Sequence, residues 1–149
     1  PFVRLQRVAN LRLEIATLIP WDTEISDIFG MHAVNDTKIY APVAGLYRIS
    51  AQFQAVFYGA AASRSSVSTR IDIYKNGSST YGALGCITQH QYEAGLVAGS
   101  NQVHEIVLAA GDYVEIRAIQ LSNGAGDGHA DIDTNDLYTS VTMSLVSGI

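Results

Sequence analysis

The chain has 149 residues, a formal net charge of −5 and 48% hydrophobic residues, which suits one folded domain and excludes a disordered chain. The acidic balance argues against nucleic-acid binding, and no apolar run reaches the ~20 residues that cross a bilayer. We therefore predict a single domain over residues 1–149 that neither binds nucleic acid nor inserts into a membrane. Because it starts at Pro1 without an initiator methionine, we expect it to be excised from, or C-terminal to, a longer chain.

The first half of the chain is predicted to be β-structure, because its apolar residues alternate with polar ones. Three short candidate strands come first: Phe2–Val8, Leu13–Leu18 and Lys38–Tyr40. Pro42 and Gly45 bracket a turn before the longest predicted strand, Gly45–Tyr58, whose odd-numbered residues are apolar. The indole of Trp21 is predicted to plug one end of the core.

The second half continues in the same way, with turn signals between the runs. The candidate strands are Val67–Tyr74, Leu84–Gln91, Val103–Leu108, Val114–Ala118 and Leu137–Leu145. Asn76–Gly77 and Gly111–Asp112 are predicted to be tight turns, since these residues tolerate positive φ or bond back to the turn. Residues 123–128 are predicted to be a loop, and Cys86 a buried, inert thiol. Many short strands without a helical period predict an antiparallel sandwich or jelly roll.

Four segments stand in an informative order along the chain. They are Pro20–Glu24 with Gly30–His32, Ile39–Tyr47, Ile73–Gly77 and Val107–Ile116. The second and fourth are similar to the patterns I-x-x-P-x-x-G-x-Y and L-x-x-G-D-x-V-x-L. Together the segments resemble complement C1q-type globular domains of the short prokaryotic or phage type. The resemblance implies an all-β jelly-roll sandwich of about ten antiparallel strands, of the C1q/TNF type, assembled as a homotrimer and used as a non-enzymatic binding head.

The last predicted strand has no charged residue from Leu137 to Val146. Such a strand suits a sheet that is covered on both faces, by its own core and by neighbouring subunits. We predict these trimer-interface residues: Phe2, Tyr74, His104, Tyr138, Ser140 and Thr142. The alternative interpretation is that they are ordinary half-exposed strand residues.

An acidic stretch before the last strand is the one candidate metal site. Asp131, Asp133 and Asn135 have the spacing of the first three ligands of a calcium loop, and Asp136 follows. The pattern then fails, since Asp136 replaces the required glycine and Thr142 replaces the closing glutamate. We hypothesise that Asp131, Asp133, Asn135 and Asp136 form a weak calcium site, and the alternative is a solvated acidic loop.

Catalytic motifs are absent from the sequence, which has no G-x-S-x-G, no phosphate-binding loop and no H-E-x-x-H. An enzyme is therefore the least favoured class. The favoured hypothesis is a recognition or adhesion head on a phage fibre, a virion surface or a cell surface, which contacts a glycan or protein receptor through Tyr58, Tyr81 and Tyr92. The alternative is a structural trimerisation or decoration module of a virion or spore coat.

Overall fold

The computed structural model describes residues 1–9, 11–13, 16–58, 67–81, 88–90, 97–122, 129–132 and 139–148. Within these ranges no helix is long and apolar enough to cross a membrane. The same ranges contain thirteen strands. They are β1 (Phe2–Gln6), β2 (Leu11–Leu13), β3 (Ala16–Leu18), β4 (Thr23–Asp27), β5 (Lys38–Tyr40), β6 (Gly45–Tyr58), β7 (Val67–Lys75), β8 (Ser78–Tyr81), β9 (Thr88–His90), β10 (Val97–Leu108), β11 (Tyr113–Ser122), β12 (His129–Ile132) and β13 (Ser140–Gly148).

The strands form two antiparallel sheets, which we call the inner and the outer sheet. In the inner sheet β6 pairs with β10 along one side and with β13 and β12 along the other. Beyond β13 lie β1 and then β4, and β2 pairs with β12. In the outer sheet β11 lies between β7 and the two short strands β3 and β5, and β7 also pairs with β8 and β9. This arrangement confirms the predicted jelly-roll sandwich.

The core between the sheets follows from the alternation of apolar residues along each strand. The inner sheet contributes Tyr47, Ile49 and Phe53 from β6, together with residues of β1 and β13, all buried. The outer sheet contributes buried residues of β7 and β11, such as Ile73. Trp21 is fully buried, as its indole predicts. One contiguous cluster of buried side chains therefore joins the two sheets.

The two predicted tight turns lie side by side and are joined to each other. Asn76 has φ 49° and Gly111 has φ 86°, which are the left-handed conformations expected of such turns. The Asn76 side-chain amide donates to Asp112 Oδ1 at 2.8 Å, and the Tyr113 amide donates to Asn76 Oδ1 at 3.0 Å. Lys75 Nζ lies 2.9 Å from Asp112 Oδ2. The bond from Asn76, with those from Lys75 and the Ala109 amide, lowers the pKa of Asp112 to about 2.

Gly45, at the start of the longest strand, is required by close packing between β6 and β13. A Cβ at this position would lie 2.6 Å from the carbonyl oxygen of Ser147 on the neighbouring strand. The glycine of the Ile39–Tyr47 segment therefore has a structural role. It lets β13 lie close to β6 at the point where the register of their pairing shifts by one residue. The predicted bounds of this strand, Gly45–Tyr58, are confirmed.

Several elements differ from the sequence prediction, and three of them have a common cause. Thr23–Asp27 is strand β4, where the sequence predicted no strand, because pairing with β1 supplies the ladder that its own polar residues do not predict. β10 begins at Val97, six residues before the predicted Val103, because the Gly99–Asn101 stretch is held by pairing with β6. β12 follows the predicted loop of residues 123–128, at a place where no strand was predicted, and it lies between β2 and β6. In each case a tertiary pairing overrides local propensity.

Candidate interaction surfaces

We call the outward face of the inner sheet the inner-sheet face. Residues that lie opposite each other on neighbouring strands form rows of side chains across this face. One such row runs from Arg4 on β1 to Thr142 on β13, Ser50 on β6 and Val103 on β10, as the strand registers require. Strand β13 contributes small uncharged side chains here, including Ser140 and Thr142, and Ser50 of β6 lies beside them. The stretch of this face around Ser50, Ser140 and Thr142 is therefore small and uncharged, whereas Arg48 lies farther along β6.

Apolar side chains stand at both sides of the inner-sheet face. On β10, Val103 is 61% exposed and Val107 is 52% exposed. A sheet face that lies in solvent usually carries polar residues at such positions. On β1, Phe2 is 40% exposed. Between the two valines, Glu105 Oε1 accepts from Arg48 Nε at 3.0 Å in an ion pair that lies in solvent. The face is therefore apolar at its flanks and weakly polar at its centre.

The predicted interface residues are distributed over three environments. Phe2, Ser140 and Thr142 share the inner-sheet face, as expected of a common interface. His104 lies opposite Ile49, a core residue, so it points to the interior side of β10, where its Nε2 contacts the side-chain amide of Gln102. Tyr74 lies on β7 of the outer sheet. Tyr138 lies outside the described residues. The structure thus brings together three of the six.

The outward face of the outer sheet, which we call the outer-sheet face, contains a buried carboxylate between two arginines. Asp72 is 2% exposed. Its Oδ1 lies 3.0 Å from Arg70 Nε, and its Oδ2 accepts from Arg70 Nη2 at 3.1 Å and from Arg117 Nη2 at 3.3 Å. The strand register places Arg117 directly opposite Asp72, which explains the contact. Ion pairing of this kind offsets the cost of burying the carboxylate.

Three tyrosines lie on the same outer-sheet face. The guanidinium of Arg117 lies 4.5 Å from the ring centroid of Tyr74, and the Lys38 ammonium lies 4.9 Å from that of Tyr113. Tyr40 stands opposite Tyr113 across the β5–β11 pair, with ring centroids 5.7 Å apart. Aromatic rings are thus interleaved with cations along the sheet, and each cation–π contact restrains both partners.

A second buried carboxylate lies in the middle of this face. Glu115 is 6% exposed, and its Oε1 accepts a hydrogen bond from Thr37 Oγ1 at 2.6 Å. The β-strand register places Lys38 and Tyr74 on either side of Glu115. The polar groups of the outer-sheet face are therefore held in fixed positions by their neighbours, unlike freely solvated side chains.

Most of the predicted calcium ligands lie outside the described residues. Asp131 lies in β12 opposite Arg12, whereas Asp133, Asn135 and Asp136 lie outside the described residues. Among the residues that are described, no group of three or more histidine, cysteine or carboxylate side chains could hold a metal ion. The calcium site therefore stays a prediction.

The predicted ligand-contact tyrosines are placed only by their backbone. Tyr58 is the last residue of β6 in the inner sheet, and Tyr81 is the last residue of β8 in the outer sheet. Tyr92 and Cys86 lie outside the described residues. A shared contact surface for these three tyrosines stays a prediction.

Sequence reasoning missed both the exposed valines of β10 and the ion cluster around Asp72. The valines had a signal, since Ile106, Val107 and Leu108 are consecutive apolar residues and a strand with two apolar faces is covered twice. The ion cluster had none, because Asp72 and Arg117 are neighbours only through the pairing of β7 with β11. A turn with exposed Ile28 and Phe29, fixed by bonds from the Met31 and His32 amides to Asp27, was also missed.

Comparison with known proteins identifies the fold. No family model and no curated protein matches the sequence. Among solved structures, the globular domain of zebrafish complement 1qA is similar, with a TM-score of 0.61 and 11% identity over 100% of this chain and 99% of that chain. Murine APRIL at pH 5.0 gives a TM-score of 0.57 and 9% identity over 97% and 98% of the two chains. The structure of murine APRIL at pH 8.5 gives 0.53 and 9% over the same shares. The chain thus has a C1q/TNF-like jelly-roll fold.

Proposed function

We propose that this chain is a non-enzymatic, homotrimeric recognition head, displayed outside the cell, as on a phage fibre or a virion surface. The display role is supported by the four sequence segments that resemble short prokaryotic and phage C1q-type domains. The trimer is supported by the inner-sheet face, and that face is the observation that carries the proposal. A receptor would meet the assembled head, so its contact surface depends on the assembly.

The centre of the inner-sheet face fits a packed interface better than it fits water. Ser50, Ser140 and Thr142 are small and uncharged, and no charge lies on β13 among its described residues. Charged residues are depleted at the centre of protein interfaces, because a buried charge without a partner is costly. A second copy of the chain can therefore pack against β13 without burying an unpaired charge of that strand, while Arg48 on β6 is paired with Glu105.

The two flanks of the same face differ, and this difference favours a ring. Val103 and Val107 lie on β10 at one edge of the sheet, whereas Phe2 lies near the opposite edge, one strand in from β4. Among the described strands β10 pairs only with β6. If the valine edge of one subunit covers the face of the next, the contact is heterologous, and it closes into a ring when the rotation between subunits permits closure. Three subunits is the closed number implied by the sequence resemblance.

The assembly is tested by light scattering on the purified chain and on one substitution at each of two exposed valines. The wild type should have a mass of about 48 kDa, three chains of 16.0 kDa each. V103D places a charge in the interface and should give subunits of about 16 kDa, because that charge is buried without a partner. V34D is the matched control, since Val34 is 56% exposed in the loop between β4 and β5. A stable wild-type monomer at micromolar concentration overturns the trimer.

The recognition role is tested by adsorption of the purified head to panels of bacterial cells and to arrayed glycans. Saturable binding that a soluble excess of the head displaces supports a receptor-binding function. If the head is trimeric but binds no cell and no glycan, the recognition role is wrong and the chain is a structural trimerisation or decoration module. Circular dichroism of each preparation shows that the tested protein is folded.

A further inference from the structure

We propose that the outer-sheet face binds a carboxylate-bearing glycan, with Arg70 and Arg117 holding the carboxylate and Tyr40 and Tyr113 contacting the sugar rings. The proposal deepens the recognition role above, on which it depends, by naming the class of ligand and its position. The site lies on the sheet opposite to the proposed trimer interface. A glycan could therefore reach it in the assembled head.

The outer-sheet face has a local positive charge around Arg70 and Arg117. Two guanidinium groups share the carboxylate of Asp72, and Lys38 lies opposite Glu115, so these five charged groups carry a net charge of +1 within a chain of net charge −5. The side chains of Arg70 and Arg117 are 25% and 30% exposed, so both reach solvent, whereas that of Asp72 is 2% exposed. An incoming carboxylate would meet the two cations and would be shielded from the buried anion. Guanidinium groups bind carboxylates through paired, charge-assisted hydrogen bonds.

The guanidinium groups of Arg70 and Arg117 are held in place before any ligand binds. Arg117 is fixed between the ring of Tyr74 and the carboxylate of Asp72. Arg70 is bound to both oxygens of the same carboxylate. Ordering a long, flexible side chain on binding costs conformational entropy. Much of that cost is met by folding here, so an anion binds to a prepared pair of donors.

A line of aromatic and polar side chains lies beside the two arginines. Tyr113, Glu115 and Arg117 alternate along β11, so all three lie on the outer-sheet face, and Tyr40 stands opposite Tyr113. Tyr113 and Arg117 are four residues apart on a strand, a distance of about 13 Å. Tyrosine offers an apolar ring to the carbon face of a sugar and a hydroxyl group to its oxygens. The line therefore suits a short oligosaccharide with an acidic group at the arginine end.

A glycan fits this face better than a peptide does. Peptides are commonly bound by addition to a free sheet edge or by insertion into a groove. β11 offers no free edge at this site, since β7 pairs along one side of it and β3 and β5 pair along the other. Contact must therefore occur through side chains on a flat surface. Aromatic and guanidinium planes on a flat surface match the shape of sugar rings and carboxylates.

The experiment is titration calorimetry of the folded trimer with oligogalacturonate and with the same oligosaccharide as its methyl ester. Oligogalacturonate should bind, more weakly as salt rises, and the neutral ester should bind at least about tenfold less tightly, since a charge-assisted hydrogen bond contributes about 1.5–3 kcal/mol. R117Q should also weaken binding about tenfold or more. R12Q, at an exposed arginine on β2 of the other sheet, is the matched control and should leave affinity unchanged.

A further variant separates binding from mere structural support. D72N removes the competing negative charge, while the amide oxygen of Asn can still accept a hydrogen bond from the arginines that Asp72 positions. It should therefore tighten binding of oligogalacturonate, and weaker binding in D72N would overturn the proposal. Equal binding of the ester, equal losses in R117Q and R12Q, or tight binding of polyglutamate at the same site would overturn the proposal. Light scattering run alongside distinguishes this failure from failure of the trimer, because the two faces are independent.

Discussion

The inner-sheet face and the outer-sheet face are built from the same kind of strand and yet carry opposite chemistry. The inner-sheet face has small uncharged residues at its centre and exposed valines on β10. The outer-sheet face has tyrosines, arginines and two carboxylates that are buried by their own neighbours. The first surface gains by being covered, since its apolar flanks lose contact with water. The second keeps its ions paired in the isolated subunit, so it can remain in solvent.

The largest expected effect separates the two faces of one strand. Val141 and Thr142 are adjacent on β13, but Val141 is fully buried and Thr142 lies on the inner-sheet face. V141D buries a charge without a partner and should cost several kcal/mol, enough to unfold the subunit. T142D should leave the subunit folded and weaken only its assembly. Circular dichroism with light scattering measures both, and equal unfolding in the two variants would contradict the assignment of the faces.

A smaller effect is expected from the buried carboxylate of the outer-sheet face. Thr37 Oγ1 donates to Glu115 Oε1, so T37V leaves a buried carboxylate with one fewer donor. The free energy of unfolding should fall by about 1.5–3 kcal/mol, the usual contribution of a hydrogen bond to a charged group. T37S keeps the hydroxyl group and should recover most of the loss in urea denaturation. If both variants are as stable as the wild type, the bond does not hold this face together.

Acid should loosen the joined turns at the end of the outer sheet. The pKa of Asp112 is lowered from 3.8 to about 2, chiefly by the bond from Asn76. A lowered folded-state pKa means that the carboxylate stabilises the fold fully above pH ~4 and that this contribution is lost as pH falls from about 4 to about 2. D112N should remove that part of the acid dependence. Thermal melts of both proteins across this range measure it, and identical pH profiles would contradict the assignment.

The smallest effect is expected at the ion pair on the inner-sheet face. Arg48 and Glu105 have side chains that are 56% and 42% exposed. An exposed pair contributes only about 0–1 kcal/mol, because water screens it and two long side chains must be ordered. E105Q should therefore change the stability of the subunit by less than about 1 kcal/mol in urea denaturation. A loss as large as that of T37V would show that the two faces do not differ in how they hold their ions.

Much of the fold could be predicted from local pattern, and little of the sites could. The alternation in Gly45–Tyr58 predicts a strand with one buried face, and the structure has that strand with the same bounds. Strand β4 carries no such pattern, because an edge strand is held by its neighbour and not by its own residues. His104 could have been placed from parity, since Ile106 and Leu108 on the same side are buried. Tyr74 and Arg117 could not, because only the pairing of β7 with β11 brings them together.

The bonds between Asn76 and Asp112 also bear on how the chain reaches its native state. These residues are 36 positions apart, so their contact forms only after β11 has paired with β7. Contacts between distant parts of a chain are slow to form, because loop closure must precede any gain from them. The contact between the two turns should therefore form late in folding. The Tyr113 amide, which donates to Asn76, should gain protection from solvent exchange only at the end of a refolding time course.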